Sequence, residues 1–273
     1  MEKAAIILDG TSLAAAITED LKQKISRLKT PPGLATILVG DNPASLSYLK
    51  LKETACQETG INFHQYLSNR DCCNHLAEPE LINLIKFLNR DPATHGILIQ
   101  LPLPPQYDTD KIINAINPQK DVDGFQPKNK TGLIPPTIGA IIELLKATNV
   151  ELTDKSTLII GRSDIFLIGL EKYLRQELKI KHTAVSRTIT ADAKNYDIII
   201  IALGQAGALK KDGVKPGAIV IDVGISRIKN KTVGDADEEI SEVAGFVSPV
   251  PGGVGPLTVA CLLRNVYLLA KGK

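Results

Sequence analysis

The stretch Thr157-Leu158-Ile159-Ile160-Gly161-Arg162-Ser163-Asp164 decides the fold. It reads as a short apolar strand that stops at a glycine and turns directly into a helix. The amphipathic run from Asp164 to Leu178 continues that helix. Working outward, the same unit recurs. Apolar runs from Leu34 to Val39, Gly96 to Gln100, Asp197 to Ala202 and Ala218 to Val223 read as buried strands. Amphipathic stretches from Ser12 to Leu28, Ser45 to Thr59 and Pro79 to Leu88 read as helices. Strands that alternate with helices predict parallel sheets built from βαβ units. The Pro- and Gly-rich segments 126–139 and 248–256 interrupt the pattern and are the expected domain boundaries. The last helix, with Leu257, Ala260, Leu263, Val266 and Ala270 on one face, is expected to pack back on the first domain.

Composition excludes several function classes. The 273 residues are 44% hydrophobic and 23% charged, with a net charge of +2. This is ordinary soluble globular chemistry, with too little charge to argue for nucleic acid or a membrane surface. Cys56, Cys72, Cys73 and Cys261 form no C-x-x-C pair, so neither a zinc site nor a disulfide framework is expected, as suits a reducing cytosol. Cys72 and Cys73 read as loop or helix-start thiols. The first ten residues, ending in Asp9-Gly10, read as a strand and turn rather than a signal peptide. No apolar run approaches membrane-spanning length.

Four constellations carry candidate chemistry. On the helix that Ser45 and Gly60 are expected to cap, Tyr48, Leu49, Lys52, Ala55 and Cys56 share a face. Lys50 points away and is the ordinary solvated lysine. Lys52 shares its stripe with apolar groups, and desolvation would lower its pKa and make it an acid/base; the alternative is an ammonium that snorkels to water. Gln100 ends a buried strand before Leu101-Pro102-Leu103-Pro104, where open α/β sheets bind ligands. Its alternative role is to satisfy loop backbone. Lys120-Asp121-Val122-Asp123-Gly124 sets two carboxylates beside a turn, either for a cationic ligand edge or for the turn alone. Finally, Gly161 precedes a helix N-terminus, a phosphate-binding feature, although the spacing is not G-x-G-x-x-G. The strand His182 to Ser186 runs into Arg187, a basic residue where a 2′-phosphate is accommodated. Arg162 and Ser163 can join it; the alternative is two solvated arginines.

Seven runs stand in one order: Val39 to Ser45, Tyr48 to Lys52, Gln100 to Pro104, Lys120 to Gly124, Gly161 to Ser163, Asp222 to Ile225 and Pro249 to Pro256. Together they closely resemble the methylenetetrahydrofolate dehydrogenase/cyclohydrolase (FolD) family over nearly the whole chain. The resemblance implies an N-terminal α/β catalytic domain, residues 1–137 with 256–273, and a Rossmann-like, doubly wound NAD(P)-binding domain, residues 138–255. It implies oxidation of 5,10-methylenetetrahydrofolate with NADP, NAD being possible, then hydrolysis to 10-formyltetrahydrofolate, with no metal. It makes Lys52 the catalytic lysine, assisted by Gln100, with Tyr48 stacking on the folate and Asp123 holding the pterin. Ile99, Leu101, Pro251, Gly252, Gly253, Val254 and Gly255 would line the folate site. Gly161, Arg162, Ser163, Ser186, Arg187 and Ile225 would contact the cofactor. A cytoplasmic homodimer is implied.

The chain departs from this pattern on the cofactor side. Leu167 stands at a usual glycine, Gly169 at a usual proline and Ala206 at another, and the segment from Asn129 to Pro135 is short. Leu167 is expected to crowd a pyrophosphate, and Asp164 to place negative charge beside it. Two alternatives follow: a mainly cyclohydrolase or folate-binding homologue with weak or NAD-shifted cofactor use, and a shikimate-type dehydrogenase.

Overall fold

The computed structural model describes residues 4–68, 76–126, 131–229 and 231–272. Cys72, Cys73, Asn129 and Lys130 lie outside the described residues. In chain order the elements are β1 (Ile6–Ile7), α1 (Gly10–Ile25), β2 (Gly33–Val39), α2 (Pro43–Thr59), β3 (Asn62–Ser68), α3 (Glu78–Arg90), β4 (Gly96–Gln100), α4 (Thr109–Ala115), α5 (Pro136–Ala147) and β5 (Ser156–Gly161). Then come α6 (Asp164–Leu178), β6 (His182–Ser186), β7 (Ile198–Ala202), β8 (Ile219–Asp222), β9 (Ser226–Ile228), β10 (Lys231–Val233), β11 (Phe246–Val247) and α7 (Val254–Ala270). The chain divides into two compact units: residues 15–136 with 259–273, and residues 1–14 with 137–258.

The first unit carries a three-stranded parallel sheet in the order β3-β2-β4. All seven residues of β2 are buried, as befits a central strand covered on both faces. Two apolar clusters form its core. Leu34 and Leu98 pack with Leu21, Ile61 and the α7 residues Leu262, Leu263 and Val266. Ile37, Ile97 and Ile99 pack with Leu81, Ile85 and Leu88 of α3. The last helix therefore contributes to this core, as its apolar face requires. Asn265 on that helix donates to the carbonyls of Val122 and Ile134, each at 2.9 Å.

The second unit is a six-stranded sheet in the order β1-β11-β8-β7-β5-β6, parallel throughout. The four consecutive isoleucines of β7 have no exposed surface, so this is the central strand. The N-terminal strand belongs here: Ile6 pairs with Phe246 and Ile7 with Val247. That differs from the expectation that residues 1–137 stay together. A two-residue strand has no preference of its own, and backbone pairing to a distant strand decided its place. Asp9 is no simple turn residue either. Its carboxylate accepts the amides of Thr11 and Ser12, capping α1.

Two further boundaries differ from the sequence reading. Asn42, not Ser45, caps α2 by accepting the Ser45 amide at 3.3 Å, and Ser45 is buried inside the helix. Gly60 ends the helix with a φ of +81°, a conformation open to glycine. Within the stretch expected to be only a Pro- and Gly-rich boundary, α5 already begins at Pro136, since proline is tolerated at a helix start.

Candidate active site

In the first unit, α2 and the C-terminal end of β4 bring Lys52 and Gln100 together. Lys52 Nζ donates to Gln100 Oε1 at 2.8 Å, and Gln100 Nε2 donates to the Leu101 carbonyl at 3.0 Å. The amide is thereby fixed with its oxygen toward the lysine. Lys52 is 8% exposed, so it does not snorkel to water; Lys50, two residues away, is exposed. Desolvation holds the Lys52 ammonium below the ordinary lysine range, while the charge of Asp123 pulls the other way. Asp123 is partly exposed as a residue, yet desolvation pushes its carboxyl up to about 7 against the opposing charge of Lys52. The buried amine and the carboxyl thus share their electrostatics, each charge favouring the other's charged form against desolvation.

The two carboxylates of the Asp-x-Asp-Gly run divide the work. Asp121 is 2% exposed and accepts the amides of Asp123, Gly124 and Gln126 at 3.2, 3.0 and 2.8 Å. It builds the turn, with Gly124 at a φ of +69°. Asp123 is left to face Lys52. Tyr48 lies one turn before Lys52 on the same helix, half-buried, with its phenol pushed up by desolvation. Cys56, one turn after Lys52, is fully buried and its thiol is pushed up to about 12, so it is inert at neutral pH. Leu101 is half-buried at the strand end, where the Leu101–Pro102 peptide is cis. Ile99 is 4% exposed, and its side chain packs in the core cluster.

In the second unit, β5 ends at Gly161 and Ser163 caps α6, its hydroxyl accepting the Phe166 amide at 3.4 Å. Leu167 is 2% exposed, and its Cδ2 lies 3.2 Å from where a Cβ on Gly161 would stand. Its side chain is folded into the core beside the Gly161 turn. At the end of β6, Ser186 donates to the Thr188 carbonyl at 2.6 Å. Arg187 donates to the Arg162 carbonyl at 3.0 Å and is ion-paired with Asp164. Arg162 and Ile225 are exposed. Pro251 to Gly253 form a separate turn before Val254 and Gly255 open α7, with a cis Val250–Pro251 peptide and Gly252 at a φ of +107°. There the Thr11 amide donates to the Gly252 carbonyl at 3.0 Å, and a Cβ on Gly10 would meet the Gly253 oxygen at 1.9 Å.

One pair of residues escaped the sequence reading of this unit. Asp235 has no exposed surface, and its carboxylate accepts the amides of Leu203, Gly204 and Gln205 at 2.5, 2.9 and 2.5 Å. Asp222, at the end of β8, accepts those of Gly224 and Ala236 at 2.9 and 2.7 Å, and burial pushes its carboxyl up to about 6. Each carboxylate fills the space a Cβ would need on the other strand's glycine: Asp235 at Gly224, Asp222 at Gly234, both 2.0 Å away. The signal was present as Asp222-Val223-Gly224 and Gly234-Asp235, but only pairing across twelve residues reveals it.

These features define a class: an α/β protein with a Gly turn opening a helix from a doubly wound parallel sheet, and a second parallel unit holding a buried lysine. The family model described as tetrahydrofolate dehydrogenase/cyclohydrolase, catalytic domain, matches residues 8–123, and that of the NAD(P)-binding domain matches residues 135–273. The chain belongs to the tetrahydrofolate dehydrogenase/cyclohydrolase family. It is 41% identical over 281 residues to the bifunctional protein FolD of Bacillus subtilis, covering 98% of each chain. The crystal structure of the bifunctional FolD of Campylobacter jejuni is 42% identical and superposes with a TM-score of 0.91, covering 98% of this chain and 99% of that one. The Trypanosoma brucei FolD structure, complexed with NADP cofactor and inhibitor, is 31% identical with a TM-score of 0.91, covering 98% of both chains.

Proposed function

We infer that this protein oxidises 5,10-methylenetetrahydrofolate to 5,10-methenyltetrahydrofolate with NADP and hydrolyses the product to 10-formyltetrahydrofolate. The observation that carries the reading is the buried Lys52 held by Gln100 and facing Asp123. NADP, when bound, supplies the hydride acceptor. Gly161, Ser163 at the α6 N-terminus, Arg162, Ser186 and Arg187 are the groups that would hold it. A glycine turn, a helix N-terminus and exposed guanidinium groups suit phosphates.

Hydride loss leaves a cation spread over the one-carbon bridge and its two nitrogens. A lysine whose ammonium is disfavoured by desolvation places less fixed positive charge against it. In the second step a water oxygen bonds to the bridge carbon and Lys52, whose ammonium form desolvation disfavours, takes the water's proton. Lys52 then gives that proton to one bridge nitrogen as its carbon–nitrogen bond breaks, and the added hydroxyl loses its remaining proton to water as the formyl C=O forms on the other nitrogen. Gln100 orients the amine throughout, and Asp123 shares its electrostatics. Tyr48 supplies an apolar ring face for the folate. Residues 15–136 with 259–273 carry the folate chemistry, and residues 137–258 the cofactor.

Among the described residues no helix is long and apolar enough to cross a membrane. A cytoplasmic homodimer is the working form, supported by the family resemblance and by Leu67, exposed on the edge strand β3. A monomer by light scattering would refute the dimer. The activity itself is tested by absorbance, following oxidation of 5,10-methylenetetrahydrofolate with NADP and NAD in parallel, then hydrolysis of the methenyl compound. Turnover in both steps is expected; absence of both would overturn the reading.

A further inference from the structure

Arg187 stands just past the end of β6, where a basic side chain reads the 2′-phosphate that separates NADP from NAD. In this chain that guanidinium is already engaged. It is ion-paired with Asp164 and donates to the Arg162 carbonyl at 3.0 Å. Asp164 is the first residue of α6, immediately after the capping Ser163. A carboxylate there also interacts favourably with the partial positive charge of the helix N-terminus. The Asp164 carboxylate is therefore held in place while it neutralises the guanidinium that a 2′-phosphate would use. The side chains are 60% and 66% exposed, so water and salt screen the pair and a phosphate can displace it.

We propose that Asp164 is a specificity-determining residue: its carboxylate competes with the 2′-phosphate for Arg187 and reduces the protein's preference for NADP over NAD. This rests on the NADP reading of the second unit. On binding, the 2′-phosphate must take the Arg187 guanidinium from Asp164 and then sit beside the released carboxylate. NAD carries no 2′-phosphate and meets neither of these costs, while any repulsion of the pyrophosphate by Asp164 is common to both cofactors.

The test is calorimetric titration of the full chain with 2′,5′-ADP, 5′-AMP, NADP and NAD at one ionic strength. The proteins are the wild type, Asp164→Asn, Arg187→Ala and the double variant. Exposed ion pairs are weak, so Asp164→Asn is expected to tighten 2′,5′-ADP and NADP roughly two- to fivefold, with 5′-AMP and NAD changed less than about 1.5-fold. In the Arg187→Ala background the same substitution should give no gain. No tightening, equal tightening of 5′-AMP and 2′,5′-ADP, or a gain that survives Arg187→Ala would each overturn the proposal. If wild type and Asp164→Asn both bind 2′,5′-ADP no better than 5′-AMP, the NADP reading of this site falls with it. Preferential binding of 2′,5′-ADP that ignores Asp164 would refute the competition alone.

Discussion

Lys52→Met separates the chemical role of this residue from a structural one. Methionine keeps an unbranched stem of similar length and removes the amine. Lys52 is 8% exposed and donates a hydrogen bond to Gln100 at 2.8 Å. Losing a hydrogen bond from a charged donor costs about 1.5–3 kcal/mol. Against this, the substitution ends the desolvation of a cation, worth several kcal/mol after relaxation. Gln100 is only half-buried, so water can replace the lost donor. The two effects nearly cancel, leaving stability within about 2 kcal/mol and the melting temperature within roughly 4–8 °C. Activity has no such offset. A positioned proton-transfer group is worth about 10²- to 10⁴-fold, or roughly 3–5 kcal/mol of barrier. The assay is hydrolysis of methenyltetrahydrofolate by absorbance, paired with thermal unfolding of the same preparations. Hydrolysis within threefold of wild type would remove Lys52 from the mechanism. Loss of activity with a melting point lowered by far more than 8 °C would make it a structural residue.

Two other perturbations follow from the buried carboxyls. In Asp235→Asn, one amide donor, at best Gln205's, must face the new NH₂ group. Losing that bond and stranding a buried donor costs about 3 kcal/mol, a fall of roughly 6–12 °C in melting temperature; a change under about 2 °C would refute the arrangement. Asp123 bears on pH. Its carboxyl titrates at about 7 in the folded chain against 3.8 as the ordinary value, so the folded state binds more protons between those limits. That contribution to stability is therefore greatest at low pH and is lost as pH rises from about 4 through 7. Asp123→Asn should remove this decline, seen as a stability difference between variant and wild type that drifts with pH in urea unfolding. Parallel curves from pH 4.5 to 7.5 would contradict it.

Much of this was legible in the sequence, for local reasons. Runs such as Ile198-Ile199-Ile200-Ile201 and Thr157-Leu158-Ile159-Ile160 are too apolar and too short for anything but buried strands, and the helices between them imply parallel sheets. Helical spacing alone put Lys52 on an apolar stripe and Lys50 in water. The seven ordered runs fixed the family, because each holds a turn or side chain whose position is local. What the sequence could not decide depends on partners far along the chain. Ile6 and Ile7 joined the second sheet because Phe246 and Val247 offered an edge. Asp121 and Asp123 look alike in sequence, but backbone amides claimed the first and left the second to face Lys52. Leu167 reads in sequence as a residue beside a phosphate turn, and packing placed its side chain in the core. Asp164 and Arg187, twenty-three residues apart, became an ion pair only when β5 and β6 lay side by side. Periodicity and turn chemistry are encoded within a few residues and determine the elements. Which charge meets which is set by packing across the sheet, and that decided the site.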